Sequence, residues 1–126
     1  MRIIIAGSRE FCDYELLEKK CDSLLRNFDK IIIVCGGARG ADSLGKLYAE
    51  NRGYKVAMYP ADWNTYGKSA GYIRNNKMAE VSDRLIAFWD GNSRGTKHMI
   101  NTMRQLDKPS KIIMIEENLW ELLFTF

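Results

Sequence analysis

Several common functional signatures are missing from this sequence, and each absence excludes a class. The 126 residues contain one histidine, His98, so a histidine-rich metal site cannot be assembled from the chain. The three cysteines, Cys12, Cys21 and Cys35, are odd in number and never spaced C-x-x-C, which argues against a disulfide framework or a zinc knuckle. Reduced thiols are expected, with Cys12 small and partly buried and carrying no chemistry. No apolar run approaches the roughly 20 residues that cross a bilayer. The opening run, Ile3 to Ala6, turns polar at Ser8-Arg9-Glu10, too soon for a secretory signal, so a cytoplasmic location is expected. Nineteen basic residues against sixteen acidic ones leave a formal charge of +3, with the cations scattered among acids. A surface that grips nucleic acid concentrates its cations on one face, so nucleic acid is not an expected partner. Two phosphate signatures are absent as well. Neither G-x-x-x-x-G-K-[ST] nor G-x-G-x-x-G occurs, which disfavours P-loop ATPase and nicotinamide redox chemistry.

What remains is an ordinary globular composition, 46% hydrophobic and 28% charged, of a size that suits one domain over residues 1–126. Short apolar runs alternate with longer segments carrying an i, i+3, i+4 stripe. The runs predict strands at Arg2 to Ala6, Lys30 to Cys35, Lys55 to Tyr59, Arg84 to Trp89 and Lys111 to Ile115. Near-continuous apolarity in three of them points to burial on both faces, as in a parallel sheet covered by helices. The first helix carries Tyr14, Leu17, Cys21, Leu24 and Phe28 inward and opens on Asp13 as N-cap. The second is expected from about Gly40 to Arg52, with Gly53 as its C-terminal cap and Gly45 letting it lie close to the sheet. A third should run from near Ser69 to near Ser82, and a fourth from near Gly95 to before Pro109, with Met99, Ile100, Met103 and Leu106 inward. Right-handed crossovers convert this order into a doubly wound three-layer α/β fold with strand order 3-2-1-4-5. Ligands in such sheets sit beyond the carboxyl ends of the strands, where the order reverses.

The loops expected at that edge hold the unusual residues. They are Gly7-Ser8-Arg9-Glu10-Phe11 after the first strand, Gly36-Gly37-Ala38-Arg39-Gly40-Ala41-Asp42 after the second, and Asp90-Gly91-Asn92-Ser93-Arg94-Gly95-Thr96 after the fourth. The last two lead directly into helices, so exposed amides and the helix terminus would suit a phosphate, although glycines also simply make tight turns. Periodicity at about 100° per residue places Arg74 in one stripe with Ala70, Ile73, Met78 and Val81, facing the protein. It reaches either a bound anion or an internal partner among Asp42, Asp62 and Asp90. The long loop Pro60 to Lys68 offers Asp62, Trp63, Tyr66 and Lys68. Its aromatics stack on a base, cover the end of the core, or meet another subunit. His98 is expected on the surface, beside the buried Met99 and Ile100.

Taken in order, Gly7-Ser8-Arg9, Gly36 to Asp42, Ala61-Asp62-Trp63, Tyr66-Gly67-Lys68, Ala70-Gly71, Arg74-Asn75 and Met78 make the chain resemble the YspA-like branch of the SLOG superfamily. Its relatives include the LOG phosphoribohydrolases and the Rossmann-like domains of DprA-type DNA-processing proteins. The resemblance implies a Rossmann-like fold, a nucleotide or nucleotide-derived ligand, and a homo-oligomer. The LOG enzymes use an arginine from R-K-x-x-M and a glutamate from P-G-G-x-G-T-x-x-E. Arg74 and Met78 match the first, with Asn75 at the lysine position. Gly95-Thr96 match part of the second, but Met99 stands at the glutamate position.

The leading expectation is therefore a binding protein or sensor whose ligand is held by amides around Gly36 to Gly40 and Gly91 to Thr96, with Arg9, Arg39 and Arg74 adding charged hydrogen bonds. A nucleotide hydrolase or phosphoribohydrolase using Asp42 or Asp90 is the alternative, and a DNA-processing accessory protein is the third. No cofactor is obligatory, and Mg²⁺ would accompany a phosphate ligand. The apolar tail from Leu119 to Phe126 is expected to cover the sheet or a partner subunit.

Overall fold

A computed structural model describes residues 1–37 and 40–115. The expectations for Ala38, Arg39 and the apolar tail lie outside the described residues. Five parallel strands form one sheet in the order β3-β2-β1-β4-β5. They are β1 (Arg2–Gly7), β2 (Ile32–Cys35), β3 (Lys55–Met58), β4 (Arg84–Trp89) and β5 (Ser110–Met114). Side chains alternate across a pleated strand, and the apolar runs use both directions. Ile3, Ile5, Ile33 and Phe88 pack under α1 (Tyr14–Leu25) and α2 (Ala41–Arg52). Ile4, Ala6, Val34, Leu85 and Ala87 pack under α4 (Ala70–Val81) and α5 (Arg94–Gln105). The doubly wound α/β fold thus follows from strands that are apolar on both faces.

Local signals set the ends of the helices. Asp13 Oδ1 accepts from the Leu16 amide at 3.1 Å and caps α1. Gly53, at φ +73°, closes α2 in the left-handed conformation and donates its amide to Ala49 and Glu50 carbonyls. Gly45 has no room for a side chain, since a Cβ there would lie 2.9 Å from Ile5 Cγ2, so α2 rests directly on β1.

Several expectations need correction. Lys30 and Ile31 precede β2, because Lys30 turns the chain at φ +53°. The segment Pro60 to Lys68 is not an open loop. The Asp62 carboxylate accepts from the Thr65 amide at 3.1 Å, which starts the short helix α3 (Trp63–Tyr66), followed by a 3₁₀ turn over Gly67–Ser69. Leu106 follows the end of α5 and is exposed, as is Val81 at the end of α4. Cys12 is exposed instead of partly buried. Burial pushes the Cys21 and Cys35 thiols up to about 12, so neither is a nucleophile near neutral pH. No helix among the described residues is long and apolar enough to cross a membrane.

Candidate functional site

At the carboxyl edge, where the strand order reverses between β1 and β4, lies a cleft of about 470 Å³. Its wall runs through Gly7, Ser8, Arg9 and Glu10 after β1, Asp42 at the start of α2, Arg74, Asn75 and Met78 on α4, and Asp90, Ser93, Arg94, Gly95 and Thr96 at the start of α5. Ala6 and Met99 complete the lining. The crevice rule anticipates this position.

The turn after β1 is built around Ser8. Its amide donates to the Phe88 carbonyl at 3.0 Å, and its own carbonyl accepts from Phe11 at 3.1 Å and from Ala41, the first residue of α2, at 3.4 Å. The Ser8 hydroxyl accepts from the Asp90 amide at 3.2 Å. Ser8 therefore joins β1, β4 and α2 and delivers Arg9 to the cleft. Gly40, at φ +79°, lets α2 start against the Ser8 and Arg9 carbonyls, where a side chain would collide with both.

Arg74 is the cation that the fold places most deliberately. Its Nη1 donates to the Gly36 carbonyl. Its Nε donates to Asn75 Oδ1 at 3.1 Å. A Cβ on Gly36 would stand 2.8 Å from Arg74 Cζ and 3.0 Å from Asp42 Oδ2, so guanidinium and carboxylate both approach that glycine. Burial pulls the guanidinium below its ordinary range; Asp42 opposes this, and Arg9 adds like-charge repulsion. Asn75, itself buried, continues the chain of contacts with Nδ2 donating to the Gly95 carbonyl at 3.2 Å and lying 3.2 Å from His98 Nδ1. His98 is thus not a free surface residue. It packs on the Tyr72 ring at 4.4 Å between centroids, and burial lowers its pKa.

The amides expected to hold a phosphate are partly engaged within the protein. Asp90 Oδ1 accepts from the Asn92 and Ser93 amides, both at 2.8 Å. Burial pushes the Asp90 carboxyl up, but these two amides and Ser8 outweigh it and hold the group below its ordinary value. Asp90 already supplies the negative charge that the α5 terminus favours, which makes it a poor proton donor at neutral pH. The hydroxyls of Ser93 and Thr96 bond each other at 3.1 Å, and Ser93 makes no side-chain cap. The first-turn amides of α5 at Arg94, Gly95 and Thr96 have no partner within the helix by its geometry.

A depressed carboxylate contributes stability that is complete above its unfolded pKa, near 4. That contribution disappears as pH falls through the lower native value. Asp90→Asn should therefore give a shallower loss of melting temperature as pH falls below about 4 than the unsubstituted chain, as followed by circular dichroism. An unaltered acid profile would mean that Asp90 does not hold this turn.

Other candidate residues stand apart from the cleft. Gly36 and Gly37 line a neighbouring hollow with Arg9, Arg74 and Trp63. Asp62 and Tyr66 line another with Met58, Tyr59 and Lys77. Lys68 is exposed on the 3₁₀ turn. Gly91, at φ +84°, turns the chain after β4 near Met114. Glu10 and Arg94, members of the loops after β1 and β4, and Met78, in the Arg74 stripe, line the cleft as well.

The model of the YAcAr family, described as YspA, cpYpsA-related SLOG family, matches residues 1–66. That stretch includes the first two loops and the Asp62-Trp63 pair, while Arg74 and α5 lie beyond it. Gene 61 protein of Mycobacterium phage D29 is 34% identical over 115 residues, covering 86% of this chain and 92% of that protein. Among solved structures, DNA processing protein A (DprA) from Streptococcus pneumoniae aligns with a TM-score of 0.72 at 16% identity over 92% of this chain. The present chain spans 50% of that one. DprA from Helicobacter pylori, described for its single-stranded DNA binding mode, gives 0.72 at 19% identity over 99% of this chain and 72% of its own. TM1055 gives 0.63 at 16% identity over 86% of this chain and 71% of its own. At these identities the structural likenesses establish the Rossmann-like fold.

Proposed function

The chain belongs to the YspA, cpYpsA-related SLOG family, and from that premise we propose that it binds a phosphate-bearing nucleotide or nucleotide-derived ligand as a sensor or binding protein. The observation that carries this reading is the pair Arg9 and Arg74 at the cleft. A guanidinium that is half-buried and repelled by a second arginine gains from an anion placed between the two. The first-turn amides of α5 add partial positive charge on the opposite wall. A volume of about 470 Å³ also suits a small molecule. Recognition thus rests on directed arginine donors more than on glycine-loop amides. In the same reading the chain acts in the cytoplasm as one ligand-binding domain, assembles as a homo-oligomer, and takes up Mg²⁺ only with a phosphate ligand.

Hydrolysis is the second reading, and Asp42 is what favours it, being a buried carboxylate in the cleft beside Arg74. Against it, Met99 is buried at the position where the LOG pattern has glutamate, and a missing acid-base group removes roughly 10²–10⁴-fold in rate.

Thermal-shift measurements with pyrophosphate, nucleoside mono- and diphosphates, cyclic nucleotides and ADP-ribose, with and without Mg²⁺, test the proposal. A ligand at 100 times its dissociation constant adds about 2.7 kcal/mol. Stabilisation with recovery of intact ligand after long incubation supports binding. Release of base or phosphate that Asp42→Asn abolishes would move the assignment to the hydrolase. No stabilisation by any anion, together with steeply salt-dependent uptake of single-stranded DNA, would replace it with a DNA-processing role.

A further inference from the structure

Arg9 and Arg74 belong to two cavities at once. On one side they wall the main cleft, and on the other they close a hollow of about 240 Å³ together with Gly36, Gly37, Pro60, Ala61 and Trp63. We infer that this hollow is a subsite for a nucleobase whose attached phosphate lies between the two arginines; the inference rests on the anion-binding reading above and specifies it.

Trp63 carries the argument. An indole is among the most valuable side chains to bury, yet this one is 53% exposed. It is nonetheless held in place. The Asp62 carboxylate caps the turn through the Thr65 amide, and the Gly67 amide donates to the Trp63 carbonyl. A Cβ on Gly71 would stand 3.5 Å from Trp63 Cη2 and 3.9 Å from Arg74 Nη2, so indole and guanidinium both reach the start of α4. Gly36 and Gly37 also line the hollow, the Gly36 carbonyl accepting from Arg74 Nη1 and Gly37 holding φ +78°. A hollow lined by an exposed indole and two guanidinium groups suits an aromatic ring that stacks. The shared arginines require that ring to carry an anion close by. A base joined through ribose to phosphate meets both demands, whereas inorganic phosphate meets only one.

Calorimetric titration with AMP, GMP, CMP, UMP and ADP-ribose, set against ribose 5-phosphate and pyrophosphate, separates the two subsites. The best nucleotide should bind roughly tenfold or more tightly than ribose 5-phosphate, the scale of one stacked base. Trp63→Ala should reduce that advantage to about unity, and Trp63→Phe should keep most of it. Nucleotide should quench fluorescence in the unsubstituted chain and not in Trp63→Phe, in which Trp89 and Trp120 remain. Equal affinity for nucleotide and ribose 5-phosphate, or an advantage that survives Trp63→Ala, would overturn the base subsite and leave the anion site standing. A Trp63→Ala chain that changes its sedimentation coefficient while keeping its nucleotide preference would assign the indole to a contact between subunits. Failure of every anion to bind would remove the anion reading and this one with it.

Discussion

Arg74→Ala should weaken binding of pyrophosphate or of any nucleotide by about 10- to 100-fold, the range set by one charge-assisted hydrogen bond at roughly 1.5–3 kcal/mol. The effect is large because the guanidinium has two duties. It links α4 to the turn after β2 through the Gly36 carbonyl, and it faces the cleft across from Arg9. Arg74→Lys keeps the charge without the planar fork and should recover only part of the affinity. Arg9→Ala provides the contrast. Removing Arg9 relieves like-charge repulsion on Arg74, so this variant should melt no lower than the parent while binding anions more weakly. Loss of binding without loss of stability marks a residue held in place for its ligand. Melting temperatures measured beside the titrations distinguish this from unfolding. If both variants bound pyrophosphate as the parent does, the anion would have to lie elsewhere.

The position of this cleft is legible in the sequence because a few strong rules act in concert. Strands such as Ile3 to Ala6 and Leu85 to Trp89, apolar on both faces, require helices on both sides, and right-handed crossovers then leave few strand orders. Arg74 was legible for a similar reason, since a helical period places it beside Ala70 and Met78, both buried. The fate of the amides was not legible. Whether an aspartate at a helix start is spent on its own turn depends on loop conformation, and Asp90 folds back on Asn92 and Ser93 through a turn that no periodicity records. The same holds for α3, where Asp62 and Thr65 had the spacing of a capped turn but lacked an apolar stripe to announce a helix. His98 was misread because its partners Tyr72 and Asn75 lie on another helix, and single-element patterns cannot see across that contact. The position of Gly36 and Gly37 in a hollow separate from the main cleft likewise depends on how the Arg74 side chain divides the space.

Gly7→Ala should cost about 3 kcal/mol or more, which for a chain of this size lowers the melting temperature by on the order of 10 °C. Gly7 ends β1 opposite Phe88 in the central pair of the sheet. A Cβ there would collide with the Phe88 carbonyl oxygen and stand 2.8 Å from Ala41 Cβ and 3.0 Å from Phe88 C. These are rigid obstacles. The Phe88 carbonyl cannot retreat without stretching its 3.0 Å bond from the Ser8 amide, and Ala41 is fixed by the start of α2. Overpacking that can be relieved only by moving backbone lies at the expensive end of such substitutions. Gly53→Ala is the matched control, because Gly53 has φ +73° with nothing within 4 Å of a Cβ, so only backbone strain of roughly 1–2 kcal/mol is expected. The two variants also differ in function. Forcing β1 away from β4 displaces Ser8 and Arg9 and should weaken pyrophosphate binding even in the fraction that stays folded, whereas a strained cap at the far end of α2 should not. Should Gly7→Ala melt like Gly53→Ala and bind like the parent, the close approach that positions Arg9 beside Arg74 would be disproved, and with it the geometric basis for placing an anion there.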